Sequence, residues 1–146
     1  MQSSLVYLTQ TDTTVGFLSS DDKKLSCIKQ RDPNKKTLQV VDSFQTLQSC
    51  TRIPKRFRKE IRKSKKTTYI YPNKKAFRVV DKNSIHHQFI KKFSALYSTS
   101  ANITANNFNE EFAINNADII IYNGKFQETT SSSIYLLTKN KKKRIR

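Results

Sequence analysis

Lys29, Gln30 and Arg31 place two cations two residues apart, directly after a stretch that reads as a helix. Two such groups form a patch of fixed positive charge suited to phosphate or carboxylate. Arg offers a planar, bidentate fork and Lys a compact point charge. Arg78, within a predicted strand, is a third cation of the same kind. Hydroxyl and amide side chains gather in four other short segments: Thr11 to Thr14, Thr67 with Thr68, Ser98 to Asn102, and Ser132 with Ser133. Groups of this type orient the neutral and polar parts of a ligand. The chain shows no evident pairing of a nucleophile with a base. The chemistry these residues suit is therefore positioning and charge stabilisation, without a covalent enzyme intermediate. Each segment also has a plain structural reading. Lys29 and Arg31 suit a helix C-terminus, where cations favour the dipole. Ser100 and Asn102 suit a turn, Gly16 suits a loop that needs backbone freedom, and Arg78 suits a strand position facing solvent.

Charge is the strongest global signal. The 146 residues carry 28 Lys and Arg against 11 Asp and Glu, a formal net charge of +17. Such a chain attracts polyanions, with a steep dependence on salt. The charge is concentrated between Arg52 and Lys66, where nine basic residues (Arg52, Lys55, Arg56, Arg58, Lys59, Arg62, Lys63, Lys65, Lys66) accompany one acid, Glu60. That stretch is a solvated basic face or a nucleic-acid-binding one. The tail from Lys139 to Arg146 is basic as well and is expected to be disordered. Cys27 and Cys50 are isolated from each other, so they read as reduced thiols, and no zinc site is expected. His86 and His87 are adjacent and point apart on any regular element, which argues against a shared metal. No apolar run approaches the length of a membrane span, and no leader pattern is evident at the N-terminus, so a cytoplasmic protein is expected.

The elements that must carry these residues are short. Leu5 to Gln10 is a predicted strand. Ser19 to Asp22 supplies caps and negative charge for a helix running to about Gln30 and burying Leu25 and Ile28. Asp32-Pro33-Asn34 breaks it. Leu38 to Val41 is a strand, and Ser43 caps a short helix. Pro54 opens a helical stretch with Phe57 and Ile61 on one face. Thr67 to Tyr71 and Ala76 to Val80 form a hairpin around Pro72-Asn73. Ser84 caps a helix, Leu96 to Ser98 is strand-like, and Asn109 starts another short helix. Ile119 to Tyr122 reads as a buried strand before a turn at Asn123-Gly124. Ser133 to Leu137 is the last strand. The mixture lacks a regular βαβ rhythm, so the expected fold is α/β with a sheet of mixed strand directions. Residues 1–138 form one domain and 139–146 a tail.

Taken in order, the segments resemble a known family. Thr11-Asp12-Thr13-Thr14-Val15-Gly16 after the first strand resembles the P-T-(D/E)-T-x-Y-G opening of YrdC-like proteins. Lys29-Gln30-Arg31 looks like their K-x-R, Ser98 to Asn102 matches their S-T-S-A-N, and Ser132-Ser133-Ile134 resembles their S-T-(I/V). Ala76 to Val79 resembles their A-x-R-x-P strand, and Thr67-Thr68 sits at the threonine of P-G-P-x-T. The chain departs from the pattern at Gln10, Val15, Ser64 to Lys66, Val80 and Ala105, where the family has Pro, an aromatic residue, P-G-P, Pro and Gly. The resemblance implies a YrdC-like single domain: a twisted mixed parallel and antiparallel sheet, flanking helices and a basic concave cleft. It implies a threonylcarbamoyl-AMP synthase that joins threonine, bicarbonate and ATP, with magnesium accompanying ATP and no tightly bound cofactor. The product would serve threonylcarbamoyladenosine formation on tRNA with other tRNA-modification proteins. Lys29 and Arg31 would be catalytic. Thr11, Thr13, Thr68, Arg78, Ser100, Asn102, Ser132 and Ser133 would bind substrate and nucleotide. The alternative is a non-catalytic paralogue of the same fold that binds double-stranded RNA or tRNA.

Overall fold

A computed structural model describes residues 2–122, 124, 126–127 and 129–146. In chain order the elements are β1 (Tyr7–Gln10), β2 (Val15–Ser19), α1 (Asp22–Ile28), β3 (Leu38–Val41), α2 (Phe44–Cys50), a 3-10 turn (Lys55–Phe57), α3 (Arg58–Lys63), β4 (Thr67–Ile70), β5 (Ala76–Val79), α4 (Ile85–Ile90), β6 (Ala95–Ser100), α5 (Glu110–Asn115), β7 (Ile119–Ile121), β8 (Ser133–Leu137) and β9 (Lys142–Arg144). Most helix starts are set by a side-chain cap. Asp21 accepts from the Lys23 and Lys24 amides, Ser43 from Thr46, Ser84 from His87 and Asn109 from Phe112. Each cap satisfies a donor that a helix N-terminus leaves unpaired.

All nine strands join one sheet in the order β7-β1-β2-β6-β3-β5-β4-β8-β9. The β1/β7, β3/β5 and β4/β8 pairs are parallel and the other five are antiparallel. This is the expected mixed α/β sheet. Side chains alternate along each strand, so the apolar clusters sort by face. Val41, Tyr69, Phe77 and Leu137 pack with Leu47 of α2, Phe57 and Ile61 of α3. Leu8, Val15 and Phe17 pack with Leu25 of α1 and Ala113 of α5. Strand β6 places both clusters on one side, because Ala95 joins the first, Tyr97 the second and the intervening Leu96 neither. The opposite face carries Tyr7, Leu18, Val40 and Leu96 under Phe89 and Ile90 of α4. Among the described residues four helices thus cover one face, whereas only α4 covers the other and leaves part of it open.

Three expectations change. Strand β2 was hidden in a segment read as loop: all five residues are buried, and a strand covered on both faces loses its alternating pattern. Gly16 lies inside it for lack of space, since a Cβ would stand 2.9 Å from the Thr99 carbonyl oxygen and 3.1 Å from Thr11 Cγ2. Strand β7, read as buried, is a sheet edge with Ile120 41% exposed; of the turn that follows, Asn123 lies outside the described residues. The tail is ordered by strand pairing: Lys142, Lys143 and Arg144 pair with Leu137, Leu136 and Tyr135. Its backbone amides and carbonyls complete the β8 ladder, a reward that composition does not reveal.

Candidate functional site

The uncovered part of the α4 face is the floor of a cavity of about 510 Å³. Gly16 of β2, Leu38 of β3, Thr68 and Ile70 of β4, Ala76 and Arg78 of β5, Ser98 and Ser100 of β6 and Ile134 of β8 line it. The β1–β2 loop contributes Thr11, Thr13 and Thr14, and the stretch after α1 contributes Lys29, Arg31, Lys35 and Lys36. Six cations therefore border one volume, with Arg78 and Arg146 joining those four, and no Asp or Glu belongs to the described lining.

Lys29 lies at the C-terminal end of α1 and crosses to the end of β6. Its Nζ is 3.0 Å from Ser100 O, 3.1 Å from Ser100 Oγ, 2.9 Å from Asn102 O and 2.9 Å from Asn102 Oδ1. An ammonium has three protons, so four oxygens share them. The bonds fix the bend after β6 and hold two polar side chains at the cavity wall. Burial, then the nearby Arg31 and Lys35, lower the Lys29 pKa from 10.5 to about 8. Arg31 is steadied by its Nη2 donating to Thr37 Oγ1 at 2.5 Å, and its buried Nε has no hydrogen-bond partner among the described residues.

Arg78 does not face solvent. It is buried and pairs with Asp12, Nη2 to Oδ1 at 3.0 Å, with both side chains under 5% exposed. Burial pushes its guanidinium down from the usual value and the Asp12 carboxylate opposes that push. Asp12 belongs to the Thr11–Gly16 segment, so the β1–β2 loop and the β5 strand are locked by one ion pair. The same loop is tightened by Thr11, whose Oγ1 accepts from the Thr13 and Thr14 amides at 3.1 Å each and donates to Thr14 O. Its hydroxyl is thereby spent on the turn.

At the far wall Thr68 Oγ1 and Ser132 Oγ are 2.8 Å apart. Arg146 Nε donates to Ser132 O at 3.0 Å, and its Nη2 lies 3.4 Å from Ser132 Oγ. A β-bulge aims Arg146 inward: the Ile145 and Arg146 amides both donate to Ile134 O. Two residues then oppose one, which turns Arg146 to the Ile134 side of the sheet, the cavity side.

Of the residues expected at the site, Lys29, Arg31, Thr11, Thr13, Thr68, Arg78, Ser100, Asn102 and Ser132 come together around this volume. Ser133 does not, because it stands between Ser132 and Ile134 on the strand and so points to the other face. Arg146, Lys35 and Lys36 were missed, and so was the pairing role of Asp12. Lys35 follows the helix break and had no motif. Arg146 sat in a charge run read as disordered, and only the bulge gives it a direction. The basic stretch lies elsewhere: Lys55, Arg56, Arg58, Lys59, Arg62 and Lys63 are exposed on the 3-10 turn and α3, which cover the opposite face. Arg52, Lys65 and Lys66 are exposed beside them, with Lys65 paired to Asp81 at 3.3 Å. The two histidines diverge. His86 is buried against Phe89, and His87 Nε2 lies 3.0 Å from Asp42 O. Burial above all lowers the His86 pKa to about 4, so its ring is neutral at pH 7. No helix among the described residues is long and apolar enough to cross a membrane.

Solved structures share this fold. The H234A/Y235A form of P. abyssi Sua5 aligns with a TM-score of 0.83 at 16% identity, over 98% of this chain and 52% of that one. P. abyssi Sua5 complexed with L-threonine aligns at 0.81, with 16% identity, 98% and 50% coverage. E. coli YciO aligns at 0.75, with 16% identity, 98% and 82% coverage. The chain thus spans about half the length of the Sua5 structures. No curated protein matches the sequence. The Sua5/YciO/YrdC family model, described as "Telomere recombination", matches residues 6–146. With that match over nearly its whole length and a sheet shared with Sua5 and YciO, the chain belongs to the Sua5/YciO/YrdC family.

Proposed function

We propose that the cavity is the active site of a threonylcarbamoyl-AMP synthase. The observation that carries this reading is a single volume bordered by six cations, Lys29, Arg31, Lys35, Lys36, Arg78 and Arg146, with hydroxyl and amide groups on its walls and no carboxylate in the described lining. The three substrates of that reaction are a triphosphate, a bicarbonate and an amino-acid carboxylate. They repel one another in water, and fixed positive charge in a partly dry site removes that repulsion at no reorganisation cost. The solved complex of a family member with L-threonine supports the same reading.

The reaction balances as follows. The threonine nitrogen bonds to the bicarbonate carbon and water leaves. A carbamate oxygen then bonds to the α-phosphorus of ATP, the bond from that phosphorus to the bridging oxygen breaks, and pyrophosphate departs with the bond electrons. Arg31, Arg78 and Arg146 suit bidentate contact with phosphate or carboxylate oxygens. Lys29 acts through its field and by holding Ser100 and Asn102. The hydroxyls of Thr13, Thr68 and Ser132 suit orientation of the polar parts. Magnesium enters as part of the substrate, bound to ATP. The described lining holds no Asp or Glu, and no three His, Cys, Asp or Glu gather to hold a metal among the described residues. The product would go to threonylcarbamoyladenosine formation on tRNA, in the cytoplasm and with partner proteins.

The test is pyrophosphate release with ATP, bicarbonate and threonine, each then left out in turn. Release that requires all three is expected, with loss of at least about a hundredfold in Arg31→Ala, the scale of removing one charge-stabilising group. No release above background would leave a non-catalytic, RNA-binding member of the family in its place.

A further inference from the structure

The net charge of +17 is not spent on the cavity. Much of it lies on the other side of the sheet. Phe57 and Ile61 turn inward from the 3-10 turn and α3. The outward residues of α3 are almost all cations, and Lys59 and Lys63, one turn apart, have no side-chain partner among the described residues. Like charges at that spacing oppose the helix. The sole acid of the segment, Glu60, is already engaged by Lys142.

Strand β9 extends this surface. Lys142 and Arg144 pair with Leu137 and Tyr135, whose side chains join the α3 cluster, so these two cations lie on the α3 side while Lys143 lies on the other. Arg56 Nη1 donates to Asn140 O at 3.1 Å, which ties the 3-10 turn to the β8–β9 connection. Two segments some eighty residues apart are thereby joined into one exposed, cationic face. Its apolar residues are buried, whereas a membrane-surface helix needs exposed Trp, Phe or Leu to insert.

We propose that the α3–β9 face is a docking surface for the phosphodiester backbone of a folded RNA, separate from the cavity. The choice of RNA over DNA rests on the synthase reading above; the existence of the surface does not. Because the face lies across the sheet from the cavity, RNA and ATP bind without displacing each other. Recognition is of backbone, not sequence, and therefore depends strongly on salt.

The test is fluorescence anisotropy of the full chain with a labelled RNA hairpin, a DNA hairpin of the same sequence and phosphatidylserine vesicles. The triple variant Lys59→Gln/Lys63→Gln/Arg144→Gln is compared with a charge-matched triple elsewhere, Lys23→Gln/Lys82→Gln/Lys91→Gln. At about 0.1 M salt the first triple is expected to weaken RNA binding about tenfold or more and to flatten the log–log salt slope by about 2 to 3. The second triple is expected to change affinity less than about threefold, as scattered surface charges do. Lys59→Arg/Lys63→Arg keeps the charge and is expected to keep binding, which separates loss of contact from misfolding. Equal loss in both triples, preference for DNA or vesicles, or competition between ATP and RNA would overturn the proposal. Pyrophosphate release by the unchanged chain distinguishes the two readings. A mapped RNA surface without turnover leaves this inference standing and removes the synthase. Turnover with RNA binding insensitive to the first triple does the reverse.

Discussion

Lys29 and Arg78 show how burial gives a cation a task. Lys29 shares its protons with Ser100 and Asn102 and has its pKa lowered to about 8, chiefly by burial. On the synthase reading, kcat/KM for pyrophosphate release is expected to fall as pH rises through about 8, where the free protein loses that proton. In Lys29→Arg, which stays charged, the alkaline limb is expected to move above the accessible range; an unchanged limb would assign it to another group. The stability effect has the opposite sign. The folded-state value lies below the ordinary 10.5, so between about 8 and 10.5 the unfolded chain binds more protons and stability from this group rises with pH. Arg78 differs, because its charge is matched by Asp12 in a site where both are almost fully buried. Removing either partner leaves a buried charge alone. Arg78→Met or Asp12→Asn is expected to cost about 3–5 kcal/mol in urea unfolding, and the double variant much less than the sum. Additive costs would show that the pair is not coupled.

Short elements are enough here because the sheet supplies the order. Most helix starts could be read from a cap: Asp21, Ser43, Ser84 and Asn109 are N-caps where the sequence indicated helix starts. The β4–β5 hairpin was equally legible, because Pro72-Asn73 between two short strand-forming runs reports local turn chemistry. Strand β2 was not, since burial on both faces erases alternation, and β9 was not, since its pairing partner rather than its own composition makes it a strand. The bulge at Ile145 and Arg146 is the element-scale device with a consequence for the site. Arg146→Ala is expected to raise the KM for ATP about tenfold or more, the scale of one lost charge-assisted contact, with little change in thermal stability. A fall in melting temperature as large as that of a chain ending at residue 138 would instead make Arg146 a structural clamp for β8.

At the scale of the whole molecule, the chain folds with a large uncompensated positive charge: only three ion pairs occur among the described residues, against a net charge of +17. Self-repulsion of that size destabilises the compact state and is screened by salt. The melting temperature is expected to rise between about 0.02 and 0.2 M NaCl, and calorimetry checks it; a flat or falling profile would mean that local pairing has already absorbed the repulsion. The same scale separates what was readable from what was not. The mixed α/β class, the helix starts and the motif segments were fixed by local properties: residue type, turn chemistry and order along the chain. Facing and convergence were not, because they arise from long-range pairing. Parallel and antiparallel register brings Lys29 to Asn102, Arg78 to Asp12 and Thr68 to Ser132 across separations of 73, 66 and 64 residues. One-residue alternation on β8 keeps Ser132 at the cavity and removes Ser133 from it. The sequence alone established which residue types were available for anion chemistry. Tertiary structure alone decided that nine of the ten expected site residues share one cavity with Arg146, and that the basic helix lies behind the sheet, where its charge serves a different surface.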